Sequence, residues 1–109
     1  PSRTTAKVPP ARLQAVREAV GTQQRLQFAY EDAQGRRTER VVWPFALGYF
    51  DEVPMLAAWC EGREDFRHFR LDRIRHARAL EEHYLVPRAT LLRRWQKAQG
   101  IAPDWLDRS

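Results

Sequence analysis

Six arginines, Arg63, Arg67, Arg70, Arg73, Arg75 and Arg78, fall within sixteen residues, with Phe66, His68 and Phe69 set among them. Guanidinium groups offer bidentate hydrogen bonds to phosphate, and flat aromatic faces offer stacking to bases. A single-stranded nucleic acid or a nucleotide needs both. The plainer reading of the same residues is a solvated basic face whose aromatics belong to the core. Downstream, Arg88, Arg93, Arg94 and Lys97 either extend a positive surface or keep a helix soluble.

Catalytic chemistry finds little support. There is no GxGxxG or GxxxxGK[ST] phosphate loop and no GxSxG elbow, and the only serines are Ser2 and Ser109. Cys60 sits in an apolar run, where a thiol is usually a small core hydrophobe. His68, His76 and His83 lack metal-ligand spacing, and no second cysteine supports a zinc site. Glu61, Glu64 and Asp65 read as a solvated turn that pairs locally with Arg63 or Arg67. No catalytic residue, metal or cofactor is expected, and the chain is not expected to be an enzyme.

Length and composition narrow the class. A chain of 109 residues suits a single domain, and 43% hydrophobic content with twelve aromatics requires a core. The net charge is +5, carried by 17 Arg and 2 Lys against 14 acids, which suits a polyanionic partner. The least interrupted apolar run, residues 41–50, contains a Pro and a Gly and is half of what a span needs, so no membrane partner is expected. A single cysteine excludes an internal disulfide and suits a reducing, cytoplasmic compartment. The only methionine is Met55, so residue 1 is not a translational start, and the chain is expected to be part of something longer.

The elements that would position the arginines follow from periodicity. Residues 1–10 read as a linker that ends in Pro9-Pro10. Pro10 opens a helix with Leu13, Val16 and Val20 on one face, and Gly21 is the expected stop. Leu26, Phe28 and Tyr30 alternate with polar residues as a half-buried strand does. Asp32 and Gly35 mark a hairpin turn, and a second strand runs from Arg37 to Trp43, ended by Pro44. Phe45, Leu47 and Tyr49 form a third alternating run, and a turn at residues 51–54 leads into a central strand, Met55 to Cys60. Residues 63–74 fit either a strand or a helix; the neighbouring strands favour a strand to Leu71, then a turn. Ile74 to Glu81 is a last strand. Pro87 opens a second helix with Leu91, Leu92, Trp95 and Ala98 inward and Gly100 after it, and a tail follows in which Trp105 could dock. Short consecutive strands imply an antiparallel, mainly β fold: a small barrel of about five strands flanked by two helices, with the domain at 11–81 and a helical extension at 82–109.

The stretch MLAAWCEGREDFRHFRLDRI, residues 55–74, resembles the centre of a WYL domain, whose pattern runs roughly WYLxAWCExRxDFRxFRxDRI. The likeness continues upstream through the helix Leu13 to Val20, the strand around Leu26 to Tyr30, Gly35 and Pro44, and covers about residues 11–81. At the Trp-Tyr-Leu positions that name the family this chain has Pro54, Met55 and Leu56, so a family ligand contact through that Trp or Tyr is not carried over. The resemblance implies an Sm-like or SH3-like barrel. It implies the effector-sensing domain of a bacterial transcription regulator, with a nucleotide or single-stranded nucleic acid as ligand. DNA would be bound through a helix-turn-helix outside this chain, and a homodimer is expected. Carried over by position, Arg67, Arg70 and Arg73 are candidate ligand contacts, with Tyr30 and His68 as weaker ones. Arg73 could instead pair with Asp72 to fix the turn, and Arg67 could lie across the barrel. The other reading is a dimerisation or protein-interaction module whose partner surface is the stripe Leu91, Leu92 and Trp95.

Overall fold

In the computed structural model, which describes residues 8–100, Pro10 opens helix α1, Pro10–Thr22, as expected. The helix buries Val16, Ala19 and Val20. It ends not at Gly21 but at Gln23, which adopts a left-handed conformation and donates its N–H to the carbonyl of Ala19. Five antiparallel strands follow: β1 Gln24–Glu31, β2 Arg37–Phe50, β3 Val53–Cys60, β4 Asp65–Arg70 and β5 Ile74–His83. A 3-10 turn, Leu71–Arg73, joins β4 to β5, and helix α2, Arg88–Gln99, closes the described chain with Gly100 as its left-handed cap. The spatial order is β4-β3-β2-β1-β5. The mainly β architecture with two flanking helices is as the sequence implies, and the ambiguous segment after Arg63 is a strand. The sheet is open, with β4 and β5 at its edges; its form is compatible with the Sm-like or SH3-like description.

One boundary differs. The second and third predicted strands are a single fourteen-residue strand, β2, that runs through Pro44. Proline has no N–H to give a ladder and is tolerated where the ladder is interrupted. Here the register passes from Pro44 opposite Ala58 to Ala46 opposite Ala57, so Phe45 is an extra residue in a bulge. The bulge inverts the alternation: Val42 and Leu47 face one side of the sheet, while Trp43, Phe45 and Ala46 face the other.

The sheet therefore carries two cores. On its concave face α1 packs with Leu26, Phe28, Val42, Leu47, Leu56, Phe69 and Ile74. On its outer face α2 packs with Phe45, Ala46, Ala57 and Tyr84. Leu91 and Trp95 are fully covered by the sheet of their own chain, at 2% and 0% exposure. The premise that this stripe is a free partner surface is thus corrected: Leu91 and Trp95 are core, and Leu92 is half-buried against them. Ala98 is exposed rather than inward, because the buried stripe of α2 keeps to residues four apart. Residues 1–7, most of the expected linker, and residues 101–109 with Trp105 lie outside the described residues. Among the described residues no helix is long and apolar enough to cross a membrane.

Candidate ligand site

Along the concave face, apolar residues give way toward one end to polar ones. On β2 the inward positions run Val42, Arg40, Thr38, and on β4 they run Phe69, Arg67, Asp65. Arg40 reaches across β3. Its Nε donates to Thr38 Oγ1 at 3.0 Å, its Nη1 lies 3.8 Å from Cys60 Sγ, and its guanidinium sits 5.7 Å from the centre of the Phe69 ring. Phe69 is held edge to face against Phe28 at 5.1 Å and Tyr30 at 5.0 Å. Arg67, opposite Ala58 and exposed, has no ion pair among the described residues. A groove of about 510 Å³ continues from Arg40 and Cys60 to Arg63, with Glu39 and Glu61 also on its walls. A cation over the Phe69 ring, with a second cation on the same face that has no ion pair among the described residues, can take a phosphate and a planar base together.

The five residues singled out in the sequence do not all meet. Tyr30 lies at the end of β1 and its hydroxyl accepts the backbone N–H of Arg70 at 3.0 Å, which bridges the seam between β1 and β4. Arg70 is committed elsewhere: its Nε and Nη2 donate to the two carboxylate oxygens of Asp72 at 3.0 and 2.9 Å. The hydrogen bonds from Arg70 hold the Asp72 carboxyl below its ordinary range and raise the guanidinium. The partner of Asp72 is therefore Arg70, not Arg73. Arg73 lies by the β1–β2 turn in a groove of about 270 Å³ with Glu31, Asp32 and Arg75. His68 points the opposite way, because strand residues alternate between faces, and is half-buried beneath α2. Arg67 and Tyr30 thus share the concave face, Arg70 and Arg73 sit at its corner, and His68 is behind the sheet.

Two features escaped the sequence reading. Arg40 belongs to the site; its signal was the alternation Thr38, Arg40, Val42 on the core side of β2. Glu61 is not a solvated turn residue that pairs with Arg63 or Arg67. It accepts Arg25 Nε and Nη2 at 2.7 and 3.0 Å and Trp43 Nε1 at 2.7 Å. The bond from Glu61 N–H to Val41 carbonyl prolongs the β2–β3 ladder past Cys60 and turns the carboxylate toward Trp43. The Arg25 hydrogen bond, with that from Trp43, keeps this carboxyl below its usual range.

His68 predicts a pH effect. Its Nε2 accepts the Trp95 indole N–H at 2.8 Å, so the bond requires the neutral ring protonated on Nδ1. Burial lowers the His68 pKa below the ordinary value of 6.5. The unfolded chain therefore binds more protons as the pH falls past that value, and this contribution to stability is present above 6.5 and lost below it. The urea midpoint should fall between about pH 7 and pH 5, and His68→Gln, which keeps an acceptor without titrating, should flatten that fall. An unchanged slope in the variant would remove His68 as its source.

A family model described as WYL domain matches residues 11–79. Among solved structures the chain is similar to the proteasome accessory factor B/C (PafBC) of Arthrobacter aurescens, at 28% identity and a TM-score of 0.63. The match covers 75% of this chain and 13% of that one, so the chain spans a small part of its relative's length. No curated protein matches.

Proposed function

The chain belongs to the WYL domain family, and on that basis we propose that it is the effector-sensing domain of a bacterial DNA-binding transcription regulator, a binding rather than a catalytic domain. Its ligand in this reading is a nucleotide or a short single strand of nucleic acid. The observation that carries the ligand class is that one concave face holds Arg40 over Phe69 and also Arg67, which has no ion pair among the described residues. The two guanidiniums take phosphates, and Tyr30, half-buried at the edge of the face, offers the side of its ring to a base. DNA is contacted through a helix-turn-helix outside this chain, and the regulator works as a cytoplasmic homodimer. Ligand binding shifts the arrangement of subunits by no more than the ligand's differential affinity for the two arrangements.

Fluorescence anisotropy with short labelled single-stranded DNA, a duplex control and a salt titration tests this. Saturable binding that prefers the single strand is expected, with a log–log salt slope of about −1.4 for two neutralised phosphates. Equal weak binding to both DNAs, or none, would leave the arginines as a solvated face.

A further inference from the structure

On the outer face of the sheet, three aromatic residues stand in one row across three strands: Trp43 is opposite Trp59, and Trp59 is opposite Phe66. Their rings lie 6.3 and 5.2 Å apart. Together with Val86, Leu91 and Arg94 they line a cleft of about 180 Å³ at the start of α2. The helix packs tightly further on, where Trp95 is fully buried, yet leaves these three rings half-buried. The rings are also fixed from behind. Trp43 donates to Glu61, which Arg25 holds, and stacks on Tyr84 at 5.7 Å; the Tyr84 hydroxyl donates to the Pro44 carbonyl at 2.8 Å. Phe66 stands edge to face against Phe45 at 5.7 Å. Arg94, exposed at the lip, has no acidic partner among the described residues.

We propose that this cleft is a second ligand site, separate from the concave face, for a small planar aromatic carboxylate. The size sets the occupant: a closed cavity of about 150 Å³ holds one benzene ring, so this cleft takes one ring and no more. Three pinned aromatic walls favour a flat apolar ring, because they pay no ordering entropy when it enters. The lone guanidinium at the lip selects the anionic form and sets its orientation, with the carboxylate outward on Arg94 and the ring against Trp59 and Phe66. An occupant would also bridge β3 and β4 to α2, tightening the helix on the sheet.

The test uses the full 109-residue chain and benzoate as the probe, with acetate (charge without ring) and benzyl alcohol (ring without charge) as controls. The readout is the indole N–H signals in a proton–nitrogen correlation spectrum at constant ionic strength. Benzoate should shift the Trp43 and Trp59 signals saturably, with a Kd of about 1 mM. Acetate should not shift them. Arg94→Gln, at an exposed position that leaves the fold intact, should weaken benzoate about fivefold and leave benzyl alcohol unchanged. Absence of a saturable shift, an equal response to acetate, or unaltered benzoate binding by Arg94→Gln would each overturn the assignment, whatever the outcome with nucleic acid.

Discussion

Replacing Arg40 and Arg67 together by alanine should lower single-strand affinity about a hundredfold at low salt, since each charge-assisted contact to phosphate contributes about 1.5 kcal/mol. The salt slope should fall from about −1.4 toward zero, because both neutralised phosphates are lost at once. The fold should survive. Among the described residues Arg67 is exposed and unpaired, and Arg40 is anchored by one bond to Thr38, a long contact to Cys60 and the Phe69 ring. These are contacts worth about 1 kcal/mol in all. Arg70→Ala is the informative contrast. It should change binding far less, because its guanidinium is already spent on Asp72, while leaving that part-buried carboxylate without its partner. A double variant that binds the single strand as tightly as the parent would sink the site. Strong loss in Arg70→Ala alone would move it to the corner by Arg73.

The contrast between Arg40 and Arg70 shows where sequence reading stops. Local rules worked where the cause was local. Alternation identified the strands, Pro10 and Pro87 marked helix starts, and Gly35 and Gly100 took the left-handed positions that glycine accepts without cost. They failed where the cause lay across the sheet. Pro44 looks like a strand end because nothing near it in sequence announces the bulge that accommodates it. Gln23, Asp51, Glu52, Glu64 and His76 also have positive φ, and none carries glycine's signal. The arginine cluster was legible as a cluster, but which of its members point inward depends on strand parity. Which are already engaged depends on partners as distant as Glu31 for Arg75 and Gln27 for Arg78. The Asp72 partner was two residues away rather than one, because the chain passes from strand into the 3-10 turn Leu71–Arg73 between them.

Trp95→Ala should cost about 3–5 kcal/mol, as large aromatic truncations in a core do. The side chain is fully buried, stands edge to face against Phe45 at 5.7 Å and His68 at 5.6 Å, and donates its indole N–H to His68. Truncation therefore opens a cavity and leaves the His68 ring nitrogen without that donor. Domains of this size have about 5–15 kcal/mol in total, so the loss is a large fraction of it. The variant should unfold at a much lower urea midpoint, whereas Leu92→Ala, three residues earlier on the helix and only partly buried, should cost about 1 kcal/mol. A Trp95→Ala loss below about 1 kcal/mol would mean that α2 is not integral to the fold. The expected ordering also governs how self-association must be probed. Deleting residues 87–109 uncovers Phe45, Ala46, Ala57 and Tyr84, so a truncated chain would lose its outer core and any dimer together. Only a substitution on the exposed side of α2, such as at Arg93, separates the two effects, because that side contributes nothing to the core and everything to a contact made there.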